Sequence, residues 1–217
     1  NAPQHQKWDG DWMTVFFDRA IEQTAAGEAP DVIVWPETSI PALLDYAQPW
    51  IEKMSIAARG APTVAGIQRR EGNNYFNSAI LIEGPQTVTA ISDKSHLVPF
   101  GEYIPLSWLL KPLGLGTLVD QVVEFTPGSG DGMMHIDGLG LVRVLICYEG
   151  IFPEDMQRDD VRPDVLLIIT NDAWFGKGAG PRQHLRQAQA RAVEQGLPVI
   201  RVANTGVSAV ISPWGDI

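Results

Sequence analysis

The run Val165-Leu-Leu-Ile-Ile-Thr170 is apolar without alternation. A strand with one face in water alternates polar and apolar side chains, whereas a strand covered on both faces does not. The segment therefore predicts a central strand with a layer packed on each side. At 217 residues the chain has ample length for the buried core that such a strand requires, as one large domain or two small ones.

The remaining elements follow in order. Helical spacing places Phe17, Ala20, Ile21 and Thr24 on one face of a helix over 14–24. Asp31–Trp35 is a short β-branched strand closed by Pro36, and a second helix is expected over 48–59. Strands are predicted at 62–67, 75–83 and 87–92, the last two joined through the turn signal Gly84-Pro85. Further strands follow at 133–136, 141–146 and 165–170. The clearest helix spans 181–195, with Leu185, Ala188 and Ala192 on one face and Gly196-Leu-Pro198 as its stop. Strands at 198–203 and 208–212 complete the order. Strands mixed with helices, some paired as hairpins, predict an α/β sandwich containing a mixed sheet.

Composition narrows the function. A formal net charge of −10 opposes a nucleic-acid partner, which needs a basic surface. His5, His96, His135 and His184 are scattered, and no Cys/His spacing is that of a metal site, so no metal or cofactor is expected. No stretch reaches the roughly eighteen apolar residues of a membrane span. The nearest, 103–119, is broken by proline, glycine and Lys111. The chain begins at Asn1 and ends just after Pro213-Trp-Gly, which reads as a piece of a longer protein.

Cys147 is the only cysteine, so no internal disulfide forms. It sits at the exit of an apolar run, where a thiol becomes a nucleophile only if a base or cation favours the thiolate. Glu37 and Lys94 occupy the equivalent position after two other strands. Ligands in α/β sheets gather beyond the carboxyl ends of strands. Glu37 would take the thiol proton, Lys94 would stabilise the thiolate and an oxyanion, and the Tyr148 N–H would be a second oxyanion donor. Taken singly, each residue has an ordinary structural explanation: a loop carboxylate, a solvated lysine, a core thiol.

The three segments together resemble the nitrilase superfamily, whose members carry a Glu-Lys-Cys triad on a four-layer αββα sandwich. Within it, the chain is most similar to the bacterial apolipoprotein N-acyltransferases. Val34-Trp-Pro-Glu37-Thr38 resembles their base motif. Asp93-Lys94-Ser-His-Leu-Val-Pro-Phe-Gly-Glu102-Tyr-Ile-Pro105 resembles the lysine motif and its sequel, and Ile146-Cys147-Tyr148-Glu149 with Phe152-Pro-Glu154 resembles the nucleophile segment. Pro3-Gln4, Lys7-Trp8, Asn171-Asp-Ala-Trp174-Phe175-Gly176, Gln183-His184-Leu185 and Arg201-Val-Ala-Asn204-Thr-Gly206 match as well, so the resemblance covers essentially the whole chain.

The resemblance implies one extramembrane nitrilase-like domain over 1–217, lacking an element at each end and excised from a polytopic protein of the bacterial inner membrane, on the periplasmic side. It implies a phospholipid acyl donor, a Cys147 thioester, and the α-amino group of a diacylglyceryl apolipoprotein as acceptor, with no cofactor. Glu37, Lys94 and Cys147 are then catalytic. Glu102 supports the lysine or receives the incoming ammonium, and Glu149 orients Lys94 or the backbone. Tyr148 and Trp174 wall the acyl site or simply pack. Trp108, Leu109, Trp174 and Phe175 are the expected substrate contacts. The 103–119 loop is either core cover or an arm that dips into the bilayer, and the family favours the arm. A soluble amidase with the same triad, using water as second substrate, is the competing enzyme; a non-catalytic binding module is the competing class.

Overall fold

The structure is a computed structural model and describes residues 1–105, 124–156 and 161–217. Its elements in chain order are α1 (Gln4–Lys7), α2 (Gly10–Ala25), β1 (Ile33–Val34), α3 (Gln48–Ala58), β2 (Thr63–Glu71), β3 (Asn74–Glu83) and β4 (Thr87–Asp93), then β5 (Met133–Ile136), β6 (Gly140–Ile146), β7 (Val165–Asn171), α4 (Gly180–Gln195), β8 (Val199–Asn204) and β9 (Ala209–Ile211). Single 3-10 turns follow β6 and β7, at Cys147–Ile151 and Asp172–Phe175.

Most boundaries match the sequence reading, and the departures have local causes. Helix α2 begins at Gly10 rather than residue 14 because Asp9 caps it, its carboxylate accepting the Asp11 N–H at 3.0 Å. Strand β2 runs on from Ile67 to Glu71, where side chains turn polar but the backbone still pairs, Glu71 opposite Asn74 across a turn with Gly72 at φ 59°. β1 shrinks to Ile33–Val34, although the Trp35 N–H still donates to Val64 O at 2.8 Å. The short helix α1 carries no periodic signal and was not expected.

Two mixed sheets form, in the orders β1-β2-β3-β4 and β5-β6-β7-β8-β9. β1 is parallel to β2, and β6, β7 and β8 are parallel to one another; the remaining neighbours are antiparallel. Three apolar cores separate four layers. Phe17, Ile51 and Met54 of the helices pack on Ala65, Ile67, Ile80 and Ile82 of the first sheet. Val64, Ala79 and Leu81 face Val142, Val144, Ile146, Leu167 and Ile169 of the second. Leu145, Leu166 and Ile168 meet Ala188 and Ala192 of α4.

The order helix, sheet, sheet, helix is the αββα sandwich, and β7 explains the opening run. Its odd positions point at the other sheet and its even positions at α4, so every side chain from Val165 to Ile169 is buried. Each such side chain contributes about 1.5–3 kcal/mol of burial. β1 and β4 run in the same direction, as do β6, β7 and β8. Their carboxyl ends therefore deliver Glu37, Lys94, Cys147 and Asn171 from both sheets.

Candidate active site

The turn after β1 carries Glu37, which is 6% exposed. Its Oε1 accepts from Asn77 Nδ2 at 2.8 Å, and its Oε2 accepts the main-chain N–H of Asn171 at 2.8 Å. β2 fixes this turn by close approach: the N–H groups of Ser39 and Ile40 donate to Gly66 O at 2.8 and 3.2 Å. A Cβ on Gly66 would stand 2.6 Å from Glu37 Cα, against backbone that cannot swing aside. Gly66→Ala is expected to displace the Glu37 turn and to cost about 1–3 kcal/mol from overpacking. Urea denaturation checks the loss.

Lys94 follows β4 and is 1% exposed. Its Nζ lies 2.9 and 2.8 Å from the two oxygens of Glu102. Burial pulls its pKa down, but the negative charges of Glu37, a Cys147 thiolate and Glu102 outweigh this and raise it. The end of β4 is held just upstream, where Arg69 forks onto both oxygens of Asp93 at 2.7 and 2.5 Å and Ser78 adds a third bond at 2.6 Å. Of its two expected partners, Glu102 lies against the lysine. Its Oε2 also accepts the Val98 N–H at 2.8 Å.

Cys147 follows β6 with φ 55°, a left-handed conformation that costs a side-chain-bearing residue energy and recurs at functional sites. It keeps a window to solvent, yet protein packs densely around it. Burial, and then the Glu37 carboxylate, push the thiol up to about 12, while Lys94 and hydrogen-bonding contacts from Thr170 and the Asn171 N–H pull the other way. The Asn171 N–H thus meets both Glu37 Oε2 and the sulfur. That shared donor sets the carboxylate and the thiol side by side, and the Lys94 ammonium feels both charges, so the three strand-exit residues lie together.

Glu149 orients backbone rather than the lysine ammonium. Its Oε1 accepts from Ser95 N, Ser95 Oγ and His96 N at 2.8, 2.6 and 3.1 Å, and its Oε2 accepts the Ile146 N–H at 2.8 Å. One carboxylate so ties the loop after Lys94 to the strand end before Cys147. Tyr148 packs edge-on to His96 and Phe152, with centroids 5.5 and 4.8 Å apart. Trp174 and Phe175 lie on the turn after β7; Trp174 is 73% exposed and Phe175 sits edge-on to His184 at 5.3 Å. Trp108 and Leu109, with most of the 103–119 loop, lie outside the described residues.

Two contributors were not anticipated. Asn77 of β3 donates from one amide nitrogen to Glu37 Oε1 and, at 3.2 Å, to Glu102 Oε1, bridging the two carboxylates. Lys7 of α1 donates to Glu37 O at 3.1 Å. Neither belongs to a reactive-residue pattern, and only the β3 register and the fold of the amino-terminal segment bring them in. The segments at 171, 184 and 201 meet in a buried cluster behind the site. Arg201 Nη2 donates to Asp172 at 3.1 and 2.8 Å, and His184 Nδ1 lies 2.9 Å from Asp172 Oδ1. Burial pushes the Asp172 carboxyl up, but His184 and Arg201 hold it below its ordinary value.

A cavity of about 620 Å³ is lined by Lys7, Trp8, Phe16, Val34, Glu37 and Asn204, among others, but not by Cys147. The chemistry is therefore located by the converging charges rather than by volume. No described helix is long and apolar enough to cross a membrane.

Comparison with known proteins places this geometry in context. Residues 5–217 match the family model of carbon-nitrogen hydrolases. Apolipoprotein N-acyltransferase of Brucella suis is 40% identical over 227 residues, covering 99% of this chain and 42% of its own length. Its counterpart in Allorhizobium ampelinum is 38% identical over 229 residues, covering 100% and 43%. The chain thus spans less than half the length of these relatives.

Among solved structures, the carbon-nitrogen hydrolase of Helicobacter pylori superposes with a TM-score of 0.67 at 18% identity over 94% of this chain and 78% of its own. A mutant amidase of Nesterenkonia, with the acetamide moiety of fluoroacetamide added covalently at its active-site cysteine, gives 0.63 at 20% identity over 99% and 80%. Both likenesses establish the fold.

Proposed function

Because this chain belongs to the carbon-nitrogen hydrolase family, we propose that it performs acyl transfer through a Cys147 thioester, from a phospholipid to the α-amino group of a diacylglyceryl apolipoprotein. One observation carries the chemistry: the Glu37 carboxylate and the Cys147 thiol share the N–H of Asn171, and the buried Lys94 ammonium feels the charge of both. The choice of substrates rests on the similarity to apolipoprotein N-acyltransferases along essentially the whole chain.

The steps balance as follows. Glu37 takes the thiol proton as Cys147 Sγ attacks the ester carbonyl. The Lys94 ammonium and the Tyr148 N–H stabilise the oxyanion. The carbon–oxygen bond breaks, the proton on Glu37 passes to the leaving alkoxide, and lysophospholipid departs. The acceptor amine, in its neutral form, then attacks the thioester, Glu37 takes a proton from it, the carbon–sulfur bond breaks, and Glu37 passes that proton to the departing sulfur, restoring thiol and carboxylate. A thiol held up near 12 is almost wholly protonated at neutral pH, so its attack needs a neighbouring group to take the proton as the bond forms. In this reading the domain works at the periplasmic face of the bacterial inner membrane, where donor and acceptor are both lipid-anchored.

Intact mass spectrometry after incubation with mixed phospholipid–detergent micelles tests the reading. An acyl increment that hydroxylamine removes, that a diacylglyceryl peptide discharges, and that Cys147→Ser lacks is the expected result. An increment persisting in Cys147→Ser would overturn the nucleophile. Adducts from simple amides, with none from phospholipid, would replace the acyltransferase by a hydrolase.

A further inference from the structure

Lys7 stands outside the Glu37–Lys94–Cys147 set, yet it is a second buried cation at the same place. It ends α1 and is 9% exposed. Its Nζ donates to the main-chain carbonyl of Glu37 at 3.1 Å, directly before Thr38, whose φ of 48° marks a strained turn. The other end of α1 reaches the same carboxylate indirectly. Gln4 Oε1 accepts from Asn171 Nδ2 at 2.9 Å, and the Asn171 N–H donates to Glu37 Oε2 at 2.8 Å. Asn204 Nδ2 ties this arrangement down, donating to Asn171 Oδ1 at 2.9 Å and to Ala2 O at 3.0 Å. The amino-terminal segment therefore clasps the base from one side, while Asn77 holds it from the other and Glu102 and Lys94 stand behind.

We infer that Lys7 is a positioning residue for the nucleophile–base pair, holding the Glu37 turn and, through its ammonium charge, favouring the ionised thiol, so that Cys147 reactivity follows the charge on Lys7. This rests on Cys147 and Glu37 acting as nucleophile and base. The groups facing Lys7 set the sign. Glu37 approaches from the turn after β1 and Cys147 from the end of β6, with Lys94 and Glu102 beyond Glu37. On the cavity side stand Arg19 of α2, Glu28 and the terminal residue Asn1.

Burial lowers the Lys7 pKa to about 8, against the opposing pull of Glu37 and of a Cys147 thiolate. Coupling between charges is reciprocal, so the ammonium that a thiolate stabilises also stabilises the thiolate. Below the Lys7 transition the cation is present and ionisation of Cys147 is eased. Above it the charge is gone and the thiol becomes harder to ionise.

The test is the rate of Cys147 alkylation by iodoacetamide as a function of pH across that transition, read by intact mass, with melting curves as a control on folding. In the parent protein the rise of rate with pH should slacken near pH 8, the value of the Lys7 transition. Lys7→Met, neutral throughout, should react about tenfold more slowly at neutral pH, the effect of one pKa unit, and converge on the parent above the transition. Lys7→Arg keeps its charge and should restore the neutral rate without the break.

A deficit in Lys7→Met that is constant with pH, a failure of Lys7→Arg to rescue, or equal rates at neutral pH each overturn the inference. If Lys7→Met does not fold, the break in the parent profile and its loss in Lys7→Arg still decide. Normal alkylation behaviour without acyl transfer from phospholipid would reject the proposed substrates and leave the role of Lys7 standing. An unreactive Cys147 would overturn both.

Discussion

Lys94→Met is expected to be both unstable and inactive. The ammonium is 1% exposed and sits 2.8 Å from Glu102 Oε2. Removing one partner of a buried pair strands the other, typically at about 3–5 kcal/mol. The Val98 N–H and Asn77 Nδ2 still serve Glu102, which places the loss near the lower end. Urea denaturation should then show a midpoint lowered by about 1–2 M. The chemistry suffers twice: the oxyanion loses a donor, worth about 10²–10³ in rate, and the thiol loses the cation that pulls its pKa down. Lys94→Met combined with Glu102→Gln should recover part of the stability, since one face of the Gln amide meets a donor, but not activity. A double variant no more stable than the single one would mean that the stranded carboxylate is not the source of the loss.

Glu37→Gln should move two rates in opposite directions. The side chain keeps its shape, but the amide NH2 must face either Asn77 Nδ2 or the Asn171 N–H, both of which are donors. One lost bond costs about 1–3 kcal/mol, which a folded protein of this size tolerates. Acyl transfer loses its general base and should fall by about 10²–10⁴. Alkylation by iodoacetamide should rise instead. After burial, the Glu37 carboxylate is the largest influence holding the thiol near 12, so neutralising it lowers the thiol pKa and enlarges the thiolate fraction. A matching fall in both rates would show that Glu37 only shapes the pocket.

The two variants also separate the parts of the site that were legible in the residue order from those that were not. Glu37, Lys94 and Cys147 were identifiable because each is a reactive type just past an apolar run, and their motifs resemble one family. The assignment of the two helper carboxylates stayed open between alternatives. Glu102 pairs with the lysine, while Glu149 accepts from Ser95, His96 and Ile146. Asn77 was missed because an asparagine in a strand has no distinguishing local pattern, and Lys7 stood in a matched segment that gave it no role. The left-handed backbone at Cys147, φ 55°, also left no trace in the sequence.

The residue order alone determined most of the strands and helices, though not the short α1, and it determined that β7 is covered on both faces and which reactive groups stand at strand ends. Those properties depend on apolar periodicity and turn residues within a window of a few positions. Only the tertiary structure decided who meets whom. The bond from the Asn171 N–H to Glu37 joins residues 134 apart in the chain. It exists because two separate sheets stack with their carboxyl ends level, and such a contact is set by sheet register and interlayer packing rather than by any local preference.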